Sequence, residues 1–112
     1  MNEEYELGKK MGIIESDEAT KRVFKLFVDN ENKPSYHAEI HREVRGSKVG
    51  ISRALHILDD ELEVMDKFYV KIPQDRPYVR TVEVLMFQLK PEFYESIIKI
   101  QISSLTAEET EK

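Results

Sequence analysis

The stretch GSKVGISRALHILDDELEVMDKF, residues 46–68, decides how this chain folds. Ser47 is a favoured helix N-cap, and apolar residues recur after it every three or four positions, which is the period of one helix face. From about residue 63 the pattern changes to EVMDKFYVKI, which is rich in aromatic and β-branched residues and is typical of a strand. The stretch therefore predicts a helix that leads directly into a β-strand. The helix residues predicted to be buried are Ile51, Ala54, Leu55, Leu58 and Leu62.

Two shorter helices are predicted upstream of this stretch. The first begins at Ser16 as N-cap, has acidic residues in its first turn, and ends at the turn-forming run DNENKP, residues 29–34. The second has Ser35 as N-cap, and Gly46 is placed to end it in a left-handed conformation. The apolar residues expected to face the core are Val23, Phe24, Phe27 and Val28 in the first helix and Ala38, Ile40 and Val44 in the second.

The residues that follow predict a β-hairpin and a last helix. The run PQDRP, residues 73–77, forms a turn whose prolines exclude it from strand pairing, and YVRTVEVLMFQL, residues 78–89, is the second strand. We expect an N-terminal arm at 1–15 that is partly ordered at best, a domain at 16–90, a helix at 91–105 and a disordered tail at 106–112. The predicted fold is therefore α+β, with three helices, a hairpin and a C-terminal helix.

Two short helices joined by a tight turn that contains Gly46 match the helix-turn-helix motif. Residues 35–68 resemble the helix-turn-helix of winged-helix transcription regulators, and the wider pattern covers about residues 17–105. One departure is Glu61, which stands where these regulators usually have a glycine before the wing. The features that carry the resemblance are the cap Ser47, the pair Ser52 and Arg53, the spaced Leu55 and Leu58, and Glu63-Val64 at the start of the first wing strand.

In size and charge balance the chain resembles small archaeal and archaeal-virus winged-helix regulators, including the MarR-like and Lrs-like kinds. This resemblance implies a winged helix-turn-helix that binds double-stranded DNA in a sequence-specific manner. It also implies that the protein regulates transcription, with repression as the default, because no activation surface is visible in the sequence.

The charge distribution bears on this expectation. The net charge is −5, but acidic residues at the two ends account for it, and residues 19–105 carry a net charge of +1. Between Glu43 and Asp59 there is no acidic residue, whereas Arg45, Lys48 and Arg53 all lie there. Local basic clustering, rather than net charge, governs phosphate binding. This segment is therefore the predicted DNA-facing part of the chain.

The second helix of such a motif lies in the major groove with its N-terminal half facing the base edges. We expect Arg53 to pair with a guanine edge and Arg76, in the wing turn, to reach phosphate or the minor groove. The alternative is that these charges form an ordinary solvated face. The full predicted DNA-binding set is Arg45, Ser47, Lys48, Ser52, Arg53 and His56 in the helix-turn-helix, with Lys71, Arg76 and Arg80 in the wing.

The last predicted helix carries more apolar residues than a small three-helix core needs. We expect it to form the two-fold interface of a homodimer, which would bind two half-sites. The alternative is that it packs back on the first helix of the same chain. The predicted interface residues are Phe93, Ile97, Ile98 and Leu105.

The sequence offers no sign of enzymatic or metal chemistry. No P-loop, dinucleotide fingerprint or nucleophile elbow is present, and the absence of cysteine excludes disulfides and thiolate metal sites. Asp59 and Asp60 diverge by about 100° on a helix, so they cannot share a proton. His37 and His41 have a spacing that can hold Zn²⁺, but no third ligand is implied. We therefore expect no enzyme activity, no metal and no cofactor.

Two further expectations follow from composition. No run approaches 18 uncharged apolar residues, and the N-terminus has acidic residues where a signal peptide would have a basic and an apolar region, so the expected compartment is the cytoplasm. The overall acidity favours a second possibility, a winged-helix module that binds a partner protein instead of DNA. The acid-free segment between Glu43 and Asp59 favours DNA.

Overall fold

The computed structural model describes residues 3–73 and 81–110, and the side chains of residues 5–73 and 81–101. In that part of the chain, five α-helices accompany a small three-stranded antiparallel sheet, so the fold is α+β. The helices are α1 (Glu3–Ser16), α2 (Glu18–Asp29), α3 (His37–Glu43), α4 (Lys48–His56) and α5 (Pro91–Thr110), and the strands are β1 (Ser35–Tyr36), β2 (Met65–Pro73) and β3 (Thr81–Leu89).

The sheet has the order β1-β3-β2, so the last strand in the chain lies in the middle. The hairpin register runs from the pair Met65–Leu89 at the base to Pro73–Thr81 at the far end. The predicted hairpin is therefore present, although Pro73 is the last residue of β2 and does not belong to the turn. The rest of the predicted turn, with Arg76, lies outside the described residues. The first three residues of the predicted second strand, which include Arg80, also lie outside them.

One hydrophobic core joins all five helices to the base of the hairpin. The apolar residues predicted for the helix after Ser47 are all buried, as are Val23, Phe24 and Phe27 of α2, so these predictions are confirmed. The core also includes side chains from α1, both hairpin strands and α5, namely Ile14, Met65, Phe87, Leu89, Phe93 and Ile97.

The N-terminal segment is a helix, α1, and the prediction of a partly ordered arm at 1–15 was wrong. Ile14 is completely buried, and Leu7 and Met11 pack against the core. Local signals for this helix are weak because Gly8 and Gly12 lower helix propensity. Tertiary packing of its apolar side chains supplies the stability that propensity does not.

The predicted start of the next helix was wrong by one residue. Asp17, and not Ser16, is the N-cap of α2, and its carboxylate accepts a hydrogen bond from the Thr20 N–H at 3.0 Å. Ser16 instead ends α1, where its hydroxyl donates to the Ile13 carbonyl at 2.7 Å. Aspartate and serine are both good N-caps, so the sequence alone does not decide between them.

Ser35 is not the N-cap of a helix, as predicted, but part of strand β1, paired with Phe87 of β3. Helix α3 begins at His37 without a side-chain cap and ends at Glu43. Ile40 and Val44 are buried as predicted, but Ala38 is exposed. Gly46, at φ +155°, lies in the turn after α3 and is not a left-handed helix cap.

Ser47 is the N-cap of α4, as predicted, and its hydroxyl accepts a hydrogen bond from the Gly50 N–H at 3.0 Å. The helix continues as a π-helical segment over Ile57–Glu61. This segment ends at Glu61 with Leu62 as its C-cap, and the φ of the following residue, Glu63, is left-handed at 54°. The chain then turns into β2, so the residue that adopts the conformation favoured by glycine is Glu63, and not Glu61 as the family pattern suggested.

A buried asparagine ties the turn after α2 to the central strand. The Asn32 side chain donates to the Leu89 carbonyl and accepts from the Leu89 N–H, both at 2.9 Å. The Gln88 amide in turn donates to the Asn32 carbonyl at 2.8 Å. The amide of Asn32 therefore pairs with β3 as a peptide group of a neighbouring strand would, on the same edge that β1 occupies.

Helix α5 extends five residues beyond the predicted end at 105. Residues 106–110 are therefore helical and do not form the disordered tail that their composition suggested. Residues 111–112 lie outside the described part of the chain.

Candidate nucleic-acid interface

The first turn of α4 presents three consecutive side chains to solvent. Ser47 and Lys48 are exposed, and Val49 is 77% exposed. Val49 was not among the predicted contact residues. Its position supplies the signal, because residue 49 lies about 200° around the helix from the buried Ile51. An exposed β-branched side chain at this point can contact a thymine methyl group.

Arg53 makes an ion pair within the molecule. Its guanidinium nitrogen Nη2 lies 2.8 Å from Oδ1 of Asp17, the N-cap of α2. The other carboxylate oxygen accepts hydrogen bonds from the Thr20 hydroxyl, at 2.6 Å, and from the Thr20 N–H. These Thr20 hydrogen bonds, together with the Arg53 charge, hold the pKa of Asp17 below its ordinary value of 3.8. Arg53 therefore joins α4 to α2 and is not freely available to a base edge.

Two other predicted contact residues of α4 also have partners in the protein. The Ser52 hydroxyl lies 3.4 Å from Nε2 of His37 on α3, so this contact spans the two helices of the pair. Nδ1 of His56 lies 2.7 Å from a carboxylate oxygen of Asp60, one turn later. In the C-terminal half of α4, Arg53 and His56 therefore each have an acidic neighbour, and Ser52 contacts a histidine.

Arg45 lies in the turn between α3 and α4, beside a cluster of basic residues on α2. Its carbonyl accepts a hydrogen bond at 3.0 Å from Arg22, which is itself paired with Glu18 at 3.2 Å. A groove of about 450 Å³ runs between α2 and this turn. It is lined by three basic residues, two acidic residues and two apolar ones, namely Arg22, Lys25, Leu26, Asp29, Glu43, Val44 and Arg45.

The described lysines of the hairpin have acidic neighbours. Lys71 of β2 is paired across the strands with Glu83 of β3. Nζ of Lys67 lies 2.7 Å from Oδ2 of Asp59, and this hydrogen bond raises the pKa of Lys67 above its ordinary 10.5. Of the predicted wing contacts, Lys71 therefore has an acidic residue as its cross-strand neighbour. Arg76 and Arg80 lie outside the described residues.

Two basic residues at the N-terminal end of α4 have no salt-bridge partner among the described side chains. Among the side chains that the structure describes, Arg53 and His56 pair with acids, whereas Arg45 and Lys48 form no ion pair. These two residues flank the Ser47 cap, and with Val49 they make up the exposed N-terminal end of α4. We call Arg45, Ser47, Lys48 and Val49 the α4 tip.

The predicted dimer residues have mixed positions. Phe93 and Ile97 are buried in the core of their own chain, and the Phe93 ring packs edge-on against Phe24 of α2 with centroids 6.0 Å apart. Ile98 is half-buried, and the side chain of Leu105 lies outside the described residues. The N-terminal part of α5 therefore packs in cis, which was the alternative expectation for this helix.

Neither a metal cluster nor a membrane-spanning helix is found in the described residues. No three His, Asp or Glu side chains there are grouped as ligands of one ion. His37, one of the two histidines at zinc-compatible spacing, contacts Ser52. No helix in that part of the chain is both long enough and apolar enough to cross a membrane.

No protein-family model matches the chain, and no curated protein or solved structure is significantly similar to it.

Proposed function

We propose that this protein is a winged-helix DNA-binding regulator in which α3 and α4 form the helix-turn-helix and the β2–β3 hairpin is the wing. The order of elements supports this proposal, because a pair of short helices joined by a tight turn leads directly into an antiparallel hairpin. The observation that carries it is the α4 tip, where Arg45 and Lys48 are exposed, form no ion pair among the described side chains, and lie in the acid-free segment between Glu43 and Asp59.

In this proposal the α4 tip enters the major groove. Lys48 and Arg45 neutralise phosphates at the groove edge, and Val49 contacts the base edges, with thymine methyl groups as its natural partners. The exposed N–H groups of the first turn of α4 add a favourable dipole for phosphate. Arg53 has a positioning role, because through Asp17 it sets the angle between α4 and α2.

The hairpin lies beside the groove and contacts the backbone, with Arg76 and Arg80 as its proposed cationic residues. Regulation follows from occupancy of a promoter, and repression is the simplest output. The site of action is then the cytoplasm, and two copies bind two half-sites of an operator.

The test is binding to random-sequence duplex DNA, followed by fluorescence anisotropy across a salt series. We expect affinity to fall steeply with salt as counterions are released from the phosphates. Lys48→Ala should weaken binding and make the slope of log affinity against log salt shallower by about 1. The matched control is Lys99→Ala, which removes an exposed lysine from α5 and should leave both values unchanged.

A chain that binds no duplex at low salt, or two variants that behave alike, would contradict the proposal. Arg53→Ala adds a second comparison, since a base-contacting Arg53 would lose more affinity than Lys48→Ala. A positioning Arg53 loses less, and Asp17→Asn reproduces its effect.

The second candidate is a winged-helix module that binds a partner protein. The observation that favours it is that Arg53, His56 and Lys67 each lie 2.7–2.8 Å from a carboxylate oxygen of the same chain. With a net charge of −5, the molecule has little long-range attraction for DNA away from the α4 tip. In the anisotropy test this candidate predicts no salt-dependent binding.

A further inference from the structure

The β2–β3 hairpin has an apolar face that points away from the core. Because side chains alternate along a strand, the register places Phe68 and Met86 on one side and the neighbouring Lys67 and Phe87 on the other. We call the first side the outer face. Its apolar members, all half-buried or exposed, are Tyr36, Phe68, Val70, Ile72, Val82, Val84 and Met86.

The outer face is not used by the core of its own chain. Among the described residues, the core and the side chains packed against it include Met65, Leu85, Phe87 and Leu89 of the opposite face, but no member of the outer face. Val82 is 41% exposed. An antiparallel sheet with one solvated face normally has polar residues on that face, so an apolar outer face is typical of a surface that is covered.

Charge and chemistry restrict what can cover this face. Asp66, at the base, is its one charged residue in the β2–β3 ladder, and the hairpin lysines Lys67 and Lys71 lie on the opposite side. Within residues 65–73 and 81–89, the face therefore has no cation for a nucleic acid or an anionic lipid surface. The outer face therefore fits a partner surface that is apolar and has the same shape.

We infer that the outer face is the contact between two copies of this chain, stacked sheet on sheet. This inference goes beyond the proposed function and does not depend on DNA binding. Nine-residue strands make the face about 30 Å long, and stacked sheets lie about 10 Å apart. A face two to three strands wide then covers on the order of 300–450 Å² on each copy, which is at the small end for a specific interface.

A two-fold axis through the middle of the outer face also keeps the two copies of Asp66 apart. The rung Val70–Val84 lies at the centre of the outer face, so the axis passes near it. The base of one hairpin then covers the far end of the other. The two copies of Asp66 lie at opposite ends of the interface, at its solvated rim, and do not repel each other. This isologous arrangement closes at two copies.

The test is the mass of the DNA-free protein by analytical ultracentrifugation at micromolar concentrations. We expect the wild-type chain to sediment at twice its 13.2 kDa, and Val70→Lys to sediment at 13.2 kDa. The matched control is Tyr69→Lys, which places the same charge one residue away on the opposite face, where Tyr69 is 68% exposed. It should remain dimeric. A wild-type monomer, or equal masses for the two variants, would overturn the inference.

A cross-linking experiment keeps the inference testable if Val70→Lys does not fold. The chain has no cysteine, so Val84→Cys introduces a single thiol near the axis. We expect it to form a disulfide-linked dimer on mild oxidation, because the two Cβ atoms come close to each other there. Tyr69→Cys should stay monomeric on a non-reducing gel. Cross-linking of Tyr69→Cys with none for Val84→Cys would refute the outer face as the contact. DNA binding is absent from both tests, so a monomer would refute the two-copy arrangement but would leave DNA binding by the α4 tip to be decided by the anisotropy experiment.

Discussion

At the start of α2, one carboxylate holds two helices together. Asp17 caps α2 through Thr20 and pairs with Arg53 of α4, a residue 36 positions later in the chain. The sequence shows that both side chains are polar and well placed on their own helices. It does not show that they meet, because their contact depends on how α2 and α4 cross. This explains why Arg53 was predicted to face DNA.

The pH dependence of stability should report on Asp17. Its pKa is lowered in the folded protein, so its contribution is present above the unfolded value of about 4 and is lost as the pH falls through the folded value. Asp17→Ala should lower the free energy of unfolding at pH 7 by about 1 kcal/mol, the usual cost of a lost cap. In urea titrations the difference from wild type should shrink below about pH 4.

Glu18→Ala is the control for this experiment. It removes an exposed acid of the same turn, whose pair with Arg22 is on the surface and contributes less than about 0.5 kcal/mol. A difference between Asp17→Ala and wild type that stays constant down to acid pH would show that the Asp17 charge does not stabilise the fold.

Among the elements, those defined by local patterns were predicted and those defined by distant contacts were not. The α4 cap, the buried side of α4 and the hairpin follow from residue spacing and β propensity. Strand β1 is only two residues long, and it is a strand only because β3 offers Ser35 and Tyr36 an edge. A serine after a proline has the same local signature as a helix cap, so the sequence could not separate the two.

The end of α4 has a prediction of its own. Glu63 adopts φ 54°, where a side chain is strained, so Glu63→Gly should raise the free energy of unfolding by about 0.5–1 kcal/mol. Glu61→Gly, the change that the family pattern suggests, falls inside the π-helical segment and should lower it by about 1 kcal/mol. Urea denaturation of both variants checks this, and effects of the same sign would contradict the geometry of the turn.

For the whole molecule, the main difference between expectation and structure lies at the two termini. Residues 3–15 and 106–110 have weak or polar local signals, yet both are helical. Of the candidate site, Ser47, Lys48 and Arg45 were predicted to be at the exposed end of α4, and they are there. The Arg53–Asp17 ion pair was not predictable, because it depends on a tertiary distance that residue spacing does not encode.

Helix α1 should prove to be an integral part of the core. Ile14→Ala removes a completely buried side chain and should lower the free energy of unfolding by about 2–4 kcal/mol, in a single cooperative transition. Its neighbour Ile13 is 39% exposed, and Ile13→Ala should cost less than about 1 kcal/mol. Equal, small effects in thermal or urea unfolding would restore the interpretation of an undocked arm.

The Asn32–Leu89 link also bears on how the chain acquires its structure during synthesis. The two residues are 57 positions apart, so the amide of Asn32 has no native partner until β3 has been translated. The turn after α2, and the β1 segment that follows it, therefore become ordered late, after the hairpin exists. On the ribosome, the two helices of the proposed DNA-binding pair emerge long before the strand that fixes their surroundings. A nascent chain that stops short of Leu89 is consequently left without a native fold and is open to proteolysis.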